Sequence, residues 1–145
     1  YDWKTFDDLT GMKLGGGLKY SYGPDFDAFL AKGKVRMERV SSDQQNFEKL
    51  LKERVVLYPQ EMNVGYAALR SHFSPEDQAK ITHHPKPLLV NLSYLMLPKS
   101  LEGSPALLDR FNKRLQRYRD SGRYQRYFED LQQGKYQPEP SDPPK

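Results

Sequence analysis

The sequence predicts an α/β fold with a parallel-rich sheet flanked by helices. One unit recurs three times between Lys13 and Gly65: an apolar run, a polar turn and a capped amphipathic helix. The apolar runs have the length and composition of strands, and they cover Met12 to Leu18, Val35 to Val40 and Val55 to Tyr58. Strands that alternate with helices in this way form parallel sheets.

The first predicted strand carries an unusual run of glycines. A short lead-in, which Thr5 can cap, ends at Gly11, and Gly15, Gly16 and Gly17 follow within the strand. Glycine weakens a strand interior, so this run indicates the close approach of another backbone or of a ligand. It is not a nucleotide-binding motif, because the Gly-Lys-Ser or Gly-Lys-Thr of a P-loop and the third glycine of a dinucleotide loop are lacking.

Each of the next helices has its own start signal. Pro24 suits the first turn of a helix that Gly33 ends. Ser42 and Gln45 have the spacing of a capping box, which predicts the start of a second helix. After Pro59, apolar residues recur at helical intervals and predict a third helix.

The second half of the chain predicts a fourth strand, two helices and a tail. Leu88 to Leu97 is an apolar run that Pro98 ends. Ser104 begins a long amphipathic helix, and the helix after it ends at Gly134. Residues 137–145 hold four prolines and should be disordered. A linker-like break is expected from His83 to Pro87, because residues before proline avoid the helical region, and a boundary is expected after residue 136.

Composition indicates a folded domain with an aromatic core. Aromatic residues make up 12% of the 145 residues, too many for a disordered chain. No window approaches the roughly 18 consecutive apolar residues of a membrane helix. The first residues do not resemble a signal peptide, so we expect any export signal to be removed or to lie upstream. Without cysteine there is neither a disulfide framework nor a thiol nucleophile.

Basic residues are concentrated near the C-terminus. The net charge is +4, and Arg110 to Arg126 contains seven Lys or Arg side chains. Such a cluster fits either an anionic partner or a solvated helix face. Apolar residues occupy the opposite face at helical spacing, namely Leu107, Leu108, Phe111, Leu115 and Tyr118. This periodicity favours a solvated face and predicts no nucleic-acid partner.

The predicted sheet places its functional groups at one edge. In parallel sheets, ligands bind where strands lead into helices, because helix N-termini present unpaired N–H groups and positive dipole ends. Three turns meet this description: Lys19 to Gly23, Ser41 to Asp43 and Pro59 to Glu61. By contrast, His83 and His84 would point to opposite faces of an extended segment, with no third ligand at useful spacing, so no metal is predicted.

Six short motifs follow one another in a specific order. They are Asp2-Trp3-Lys4, Tyr20-Ser21-Tyr22-Gly23, Ser41-Ser42-Asp43-Gln44-Gln45-Asn46, Pro85-Lys86-Pro87-Leu88, Arg110-Phe111-Asn112-Lys113-Arg114-Leu115 and Ser121-Gly122-Arg123-Tyr124. In this order, from Asp2 to Leu131, the chain resembles the family 3 extracellular solute-binding proteins, the periplasmic polar-amino-acid receptors of ABC importers. The resemblance implies an amino-acid-like polar ligand, a membrane ABC permease as partner and a periplasmic location. It implies no enzyme activity, catalytic residue or cofactor.

The resemblance also implies an architecture. Family members have two α/β lobes joined by two crossing strands, with the solute trapped between the lobes. Residues 1–90 resemble lobe two of such a periplasmic-binding-protein-like (type II) structure. Residues 91–136 would supply a crossing strand and the C-terminal helices of lobe one, whose N-terminal part is missing. The apolar faces of those helices would then favour self-association.

The resemblance further implies a ligand-binding set in the three turns. Tyr20 and Ser21 stand where the family has a hydroxyl pair that binds the ligand carboxylate, and Lys19 replaces the preceding glycine. Glu61 stands where the family usually has an aspartate that accepts hydrogen bonds from the ligand α-ammonium. The remaining members of the expected set are Tyr22, Ser42 and Gln60.

Other interpretations of these residues stay open. Ser21 can be a turn serine that its own backbone satisfies. Glu61 can simply stabilise the first turn of its helix through the dipole. The same fold also hosts sensor domains and dehydratase-like enzymes, in which Glu61 would be the acid. A basic nucleic-acid-binding module using Arg110 to Arg126 is a further alternative.

Overall fold

A computed structural model describes residues 2–136, so the disordered tail predicted for residues 137–145 lies outside the described residues. The chain divides into two compact units, Tyr1–Val90 and Asn91–Lys145, here called the N-terminal and C-terminal units. The described residues form a mixed α/β structure. Its elements are a 3₁₀-helix (Phe6–Leu9), β1 (Lys13–Gly17), α1 (Pro24–Ala31), β2 (Arg36–Val40), α2 (Asp43–Leu51), α3 (Met62–His72), α4 (Pro75–Gln78), α5 (Ser104–Asp120) and α6 (Arg123–Gln132).

The sheet of the N-terminal unit is small and parallel. Strands β1 and β2 pair in register from Lys13 opposite Arg36 to Gly17 opposite Val40. The predicted third strand is reduced to one parallel bridge between Leu57 and Leu14, on the other side of β1. The Gly15 N–H donates to the Leu57 carbonyl over 2.8 Å. The predicted α/β class with parallel pairing is therefore confirmed, whereas the predicted third strand is shorter than expected.

An aromatic core holds this sheet and α1 together. The buried cluster comprises Trp3, Leu9, Leu14, Phe26, Phe29 and Val35. Phe26 and Phe29 project from α1, and the Phe6 ring of the lead-in lies 5.1 Å from the Phe26 ring, edge to face. Edge-to-face contact is favoured by the quadrupoles of aromatic rings. The rings therefore stabilise the packing of α1 and the lead-in around the core.

The glycine run in β1 makes room for side chains of the same unit. A Cβ atom added to Gly15 would lie 2.7 Å from Oδ1 of Asn46, and one added to Gly16 would lie 2.6 Å from Sδ of Met37. Asn46 comes from α2, is fully buried, and donates from Nδ2 to the Gly16 carbonyl over 3.2 Å. The expected close approach is thus present, but it is made by side chains of this chain.

The strand predicted over Leu88 to Leu97 is wrong. Among the described residues, none of these ten forms a backbone–backbone hydrogen bond, and Leu92, Tyr94 and Met96 are 73%, 76% and 86% exposed. A strand is stabilised only when a neighbour completes its ladder, and an extended segment in solvent can satisfy its polar groups with water. The assignment of the two units to two lobes stays a prediction.

The helices of the C-terminal unit, α5 and α6, contact each other. Gly122, at φ 72°, lies between the two helices, in the left-handed conformation that glycine adopts without strain. The Tyr118 and Tyr124 rings lie 6.1 Å apart, and Arg119 lies 5.0 Å from the Tyr124 ring. No hydrophobic side chain in the described part of this unit is buried. No described helix is both long and apolar enough to span a membrane.

Candidate functional site

The three predicted turns meet at one edge of the sheet. Because Gly17 lies opposite Val40 in a parallel register, β1 and β2 both end at this edge. The bridge at Leu57 is also parallel, so the chain that follows it runs to the same edge. The expected grouping of the turns is therefore confirmed. We call Lys19 to Gly23 turn one, Ser41 to Asp43 turn two and Pro59 to Glu61 turn three.

In turn one, an internal carboxylate occupies the hydrogen-bond donors. The Ser21 hydroxyl donates to Oδ2 of Asp27 over 2.5 Å, and the Tyr22 N–H donates to Oδ1 over 3.1 Å. These two bonds, the Ser21 bond first, lower the pKa of the Asp27 carboxyl below its ordinary value. Ser21 also accepts from the Gly23 N–H over 3.3 Å. Its hydroxyl is thus satisfied mainly by Asp27, which the sequence interpretation missed.

Arg39 fixes the shape of turn one from the neighbouring strand. Its Nη1 donates to the carbonyls of Gly17 and Tyr20, over 2.8 Å each, and its guanidinium lies 5.6 Å from the Tyr22 ring centre. The Tyr22 hydroxyl accepts from the Gly17 N–H over 2.7 Å. Tyr22 therefore supports the turn from the sheet side. Lys19 takes the left-handed conformation, with φ 63°, at the point where the chain reverses.

An open depression of about 570 Å³ lies beside turn one. It is lined by Lys19, Tyr20, Ser21, Asp27, Leu30, Ala31 and Arg39. Two cationic side chains and one carboxylate line this depression, and internal hydrogen bonds already engage the Asp27 carboxylate and one nitrogen of the Arg39 guanidinium. The structure therefore brings the predicted residues Lys19, Tyr20 and Ser21 together, and it adds Asp27 and Arg39. No sequence motif marks the last two, whose contacts depend on the path of turn one.

Turn two begins α2 as predicted. The Ser42 hydroxyl accepts from the Gln45 N–H over 3.3 Å, the bond expected of an N-cap serine. Ser41 donates to Oε1 of Gln45 over 3.2 Å. Asp43, the first residue of α2, accepts a 2.6 Å bond from the Tyr58 hydroxyl. The Ser42 hydroxyl is therefore engaged in capping, and the turn presents Ser41 and Asp43 beside it.

Turn three places Glu61 at the start of α3. Oε2 of Glu61 accepts from the Val64 N–H over 2.8 Å, and Oε1 accepts from Nδ2 of Asn63 over 3.0 Å. The helix-start interpretation of Glu61 is thus confirmed. The carboxylate is exposed, and each oxygen has two lone pairs, so both oxygens keep capacity to accept from a ligand. Gln60 accepts from the Glu61 N–H over 2.8 Å.

His83 and His84 contact residues outside the three turns. Nδ1 of His83 lies 2.8 Å from the Tyr66 hydroxyl, and the His84 ring lies 5.9 Å from the Trp3 ring. Within residues 2–136, no group of three or more His, Asp or Glu side chains is arranged to hold a metal ion.

We compared the chain with protein-family models, curated proteins and solved structures. No protein-family model, no curated protein and no solved structure matches this chain.

Proposed function

We propose that the chain belongs to a solute-binding protein of the family 3 type and that its N-terminal unit is one ligand-binding lobe of a type II periplasmic-binding-protein-like fold. Its ligand would be a small polar solute related to amino acids, delivered to an ABC permease from the periplasm. The observation that supports this proposal is the meeting of three polar turns at one edge of a parallel sheet. Such edges are where open α/β sheets bind ligands.

The chemistry of the edge suits a zwitterion. The Glu61 carboxylate is fixed in place by its capping bonds, so it can accept from an ammonium group without being reorganised. In turn one, the Ser21 N–H has no acceptor among residues 2–136, and the Lys19 side chain lines the depression beside it. These two donors, rather than the Ser21 hydroxyl, would hold a carboxylate, because Asp27 already takes the hydroxyl proton.

The C-terminal unit fits the same proposal. Its two amphipathic helices leave Leu107, Leu108 and Phe111 partly exposed on one side. In a two-lobed protein these faces would pack on the rest of lobe one, and lobe one would close over the solute bound to the N-terminal unit. One lobe alone would leave the solute largely hydrated and bind it weakly. Binding experiments therefore use the full-length protein.

The decisive substitution is Glu61→Gln. Titration calorimetry against the proteinogenic amino acids identifies a ligand, and the variant should then bind it roughly 10- to 150-fold more weakly, as expected for one charge-assisted hydrogen bond. Glutamine keeps an oxygen that can still accept from the Val64 N–H, so the helix start is largely preserved.

The matched control is Ser74→Ala, because Ser74 caps α4 of the same unit and accepts from the Asp77 N–H over 3.2 Å. This variant should lose about 1 kcal/mol of stability and no affinity. Unchanged affinity in Glu61→Gln would remove Glu61 from the site. If no amino acid binds the full-length protein, the proposed ligand class is wrong.

A further inference from the structure

Tyr58 lies between turns two and three and touches both. It directly follows the bridging residue Leu57, where the chain leaves the sheet. Its hydroxyl donates to Oδ1 of Asp43 over 2.6 Å and accepts from Nε2 of Gln60 over 2.9 Å. One phenol oxygen therefore joins the start of α2 to the residue before Glu61.

These bonds form a directed chain. The Glu61 N–H donates to Gln60, the Gln60 amide donates to Tyr58, and Tyr58 donates to Asp43. Hydrogen bonds in such a series polarise one another, and the charged acceptor at its end strengthens the last bond. Burial of Tyr58, together with its bond to Asp43, raises the pKa of the phenol above its ordinary value. The phenol thus keeps the proton that it donates.

Packing holds the members of this chain in place. The Phe47 ring of α2 meets the Tyr58 ring edge to face at 5.5 Å. On α3, a Cβ atom added to buried Gly65 would lie 3.3 Å from Cγ of Gln60, so the glycine leaves room for the glutamine side chain. Gln60 therefore has little freedom to adopt another rotamer while it remains bonded to Tyr58.

We propose that Tyr58 is a positioning residue of the candidate site, whose hydroxyl fixes turn three and Glu61 against turn two through Gln60 and Asp43. The inference deepens the proposed function, on which its consequence for binding rests. Tyr58 itself need not touch the solute. Without its hydroxyl, Gln60 loses its anchor and the Glu61 N–H loses a fixed acceptor.

The test is Tyr58→Phe, which removes the hydroxyl and keeps the ring against Phe47. Amide hydrogen exchange by NMR on the ligand-free protein should show roughly fivefold faster exchange at the Glu61 N–H, as expected for loss of one hydrogen bond. Tyr66→Phe is the matched control, because it removes another phenol hydroxyl, the one that contacts His83, from the same unit. Exchange at Glu61 should be unchanged in the control.

The conservative variant Asp43→Asn keeps an oxygen that can accept from Tyr58 but removes the charge that strengthens this bond, so exchange at Glu61 should lie between that of the wild type and that of Tyr58→Phe. Unchanged exchange at Glu61 in Tyr58→Phe would overturn the inference. So would faster exchange of similar size throughout α2 and α3, because it would indicate general destabilisation.

Affinity measurements separate this inference from the proposed function. For an amino acid that binds the full-length protein, Tyr58→Phe should weaken binding several-fold while Tyr66→Phe does not. Equal affinity of Tyr58→Phe and wild type would overturn the role in binding. If no amino acid binds, the proposed function is wrong, and the exchange data alone still decide whether Tyr58 positions Glu61.

Discussion

The two units of this protein use apolar side chains in opposite ways. All nine buried hydrophobic residues of the described chain lie between Trp3 and Leu69, in the N-terminal unit. Phe26 of α1 is 2% exposed, whereas Phe111 of α5 is 39% exposed. Helical stability in proteins comes mostly from packing of an apolar face, not from propensity. The N-terminal unit therefore contains its own core, and the C-terminal helices present a face that suits another surface.

The largest expected difference is in the stability cost of replacing Phe26 and Phe111 by alanine. Phe26→Ala should lower the free energy of unfolding of the N-terminal unit by about 3–5 kcal/mol, because it leaves a cavity in the aromatic core. Trp3 is the sole tryptophan and belongs to that core, so its fluorescence reports the unfolding of this unit.

Phe111→Ala is the counterpart in the C-terminal unit. It should shift the Trp3 transition little and should instead reduce self-association, measured by light scattering over a range of protein concentrations. A Phe111→Ala variant as destabilised as Phe26→Ala would show that α5 packs within the same cooperative core. A wild-type chain that stays monomeric would contradict the predicted self-association.

The next largest expected effect is a difference in the stability cost of replacing two glycines, one in each unit, by alanine. Gly15→Ala should cost roughly 1–3 kcal/mol, because the new methyl group would meet the buried Asn46 amide at 2.7 Å. Gly103→Ala, in the C-terminal unit, should stay within about 0.5 kcal/mol of wild type, since nothing lies within 4 Å of the added atom. Denaturant titration followed by circular dichroism and by Trp3 fluorescence measures both. Equal costs would mean that β1 relaxes around the added methyl group.

The smallest expected effect is a difference in how the stabilising contributions of Asp27 and Asp130 depend on pH and salt. The pKa values of Asp27 and Asp130 both lie below the ordinary value of 3.8, through bonds from Ser21 and Tyr22 in one case and from Lys135 in the other. Each depressed value adds stability that is present above the ordinary pKa and is lost as pH falls through the folded value.

The variants Asp27→Asn and Asp130→Asn should therefore each flatten the acid limb of the stability curve slightly. Added salt should weaken the contribution of Asp130, which pairs with a charged lysine, more than that of Asp27, whose main partners are neutral. Unfolding scans across the acid range, at low and high salt, compare the two. An equal salt response would show that Arg39, not Ser21 and Tyr22, dominates the Asp27 interaction.

Local signals were predictable from the sequence. The cap at Ser42 and the proline at position 24 each act within one helical turn, so the starts of α1 and α2 agree with the predicted ones. The fourth strand was predicted wrongly from an apolar run, because a strand also requires a neighbour that no local pattern encodes. The glycine run in β1 was expected to admit another backbone or a ligand, but the atoms that approach it belong to side chains such as that of Asn46, which lies on another element.

In the candidate site, too, local features were predictable and contacts between distant elements were not. Ser21 and Glu61 were correctly placed in turns at one edge of the sheet, and the capping role of Glu61 follows from its position before α3. Asp27 and Arg39 were missed, since both reach turn one only after the chain reverses at Lys19 in a left-handed conformation. Tyr58 was predicted only as the last residue of the third strand. Its position between two turns depends on the packing of α2 against α3.

The exposed segment from Leu88 to Leu97 has a consequence for solubility. It is uncharged and mostly apolar, and exposed apolar stretches of this kind favour aggregation. Lys86 and Pro87 precede it, and Pro98 and Lys99 follow it, the placement of gatekeeper residues that oppose edge-to-edge stacking. Lys86 is also tethered, since its ammonium lies 4.1 Å from the Trp3 ring centre. Leu88 packs against the aromatic core, so we expect these flanking residues to oppose aggregation chiefly of the exposed stretch from Leu92 to Met96.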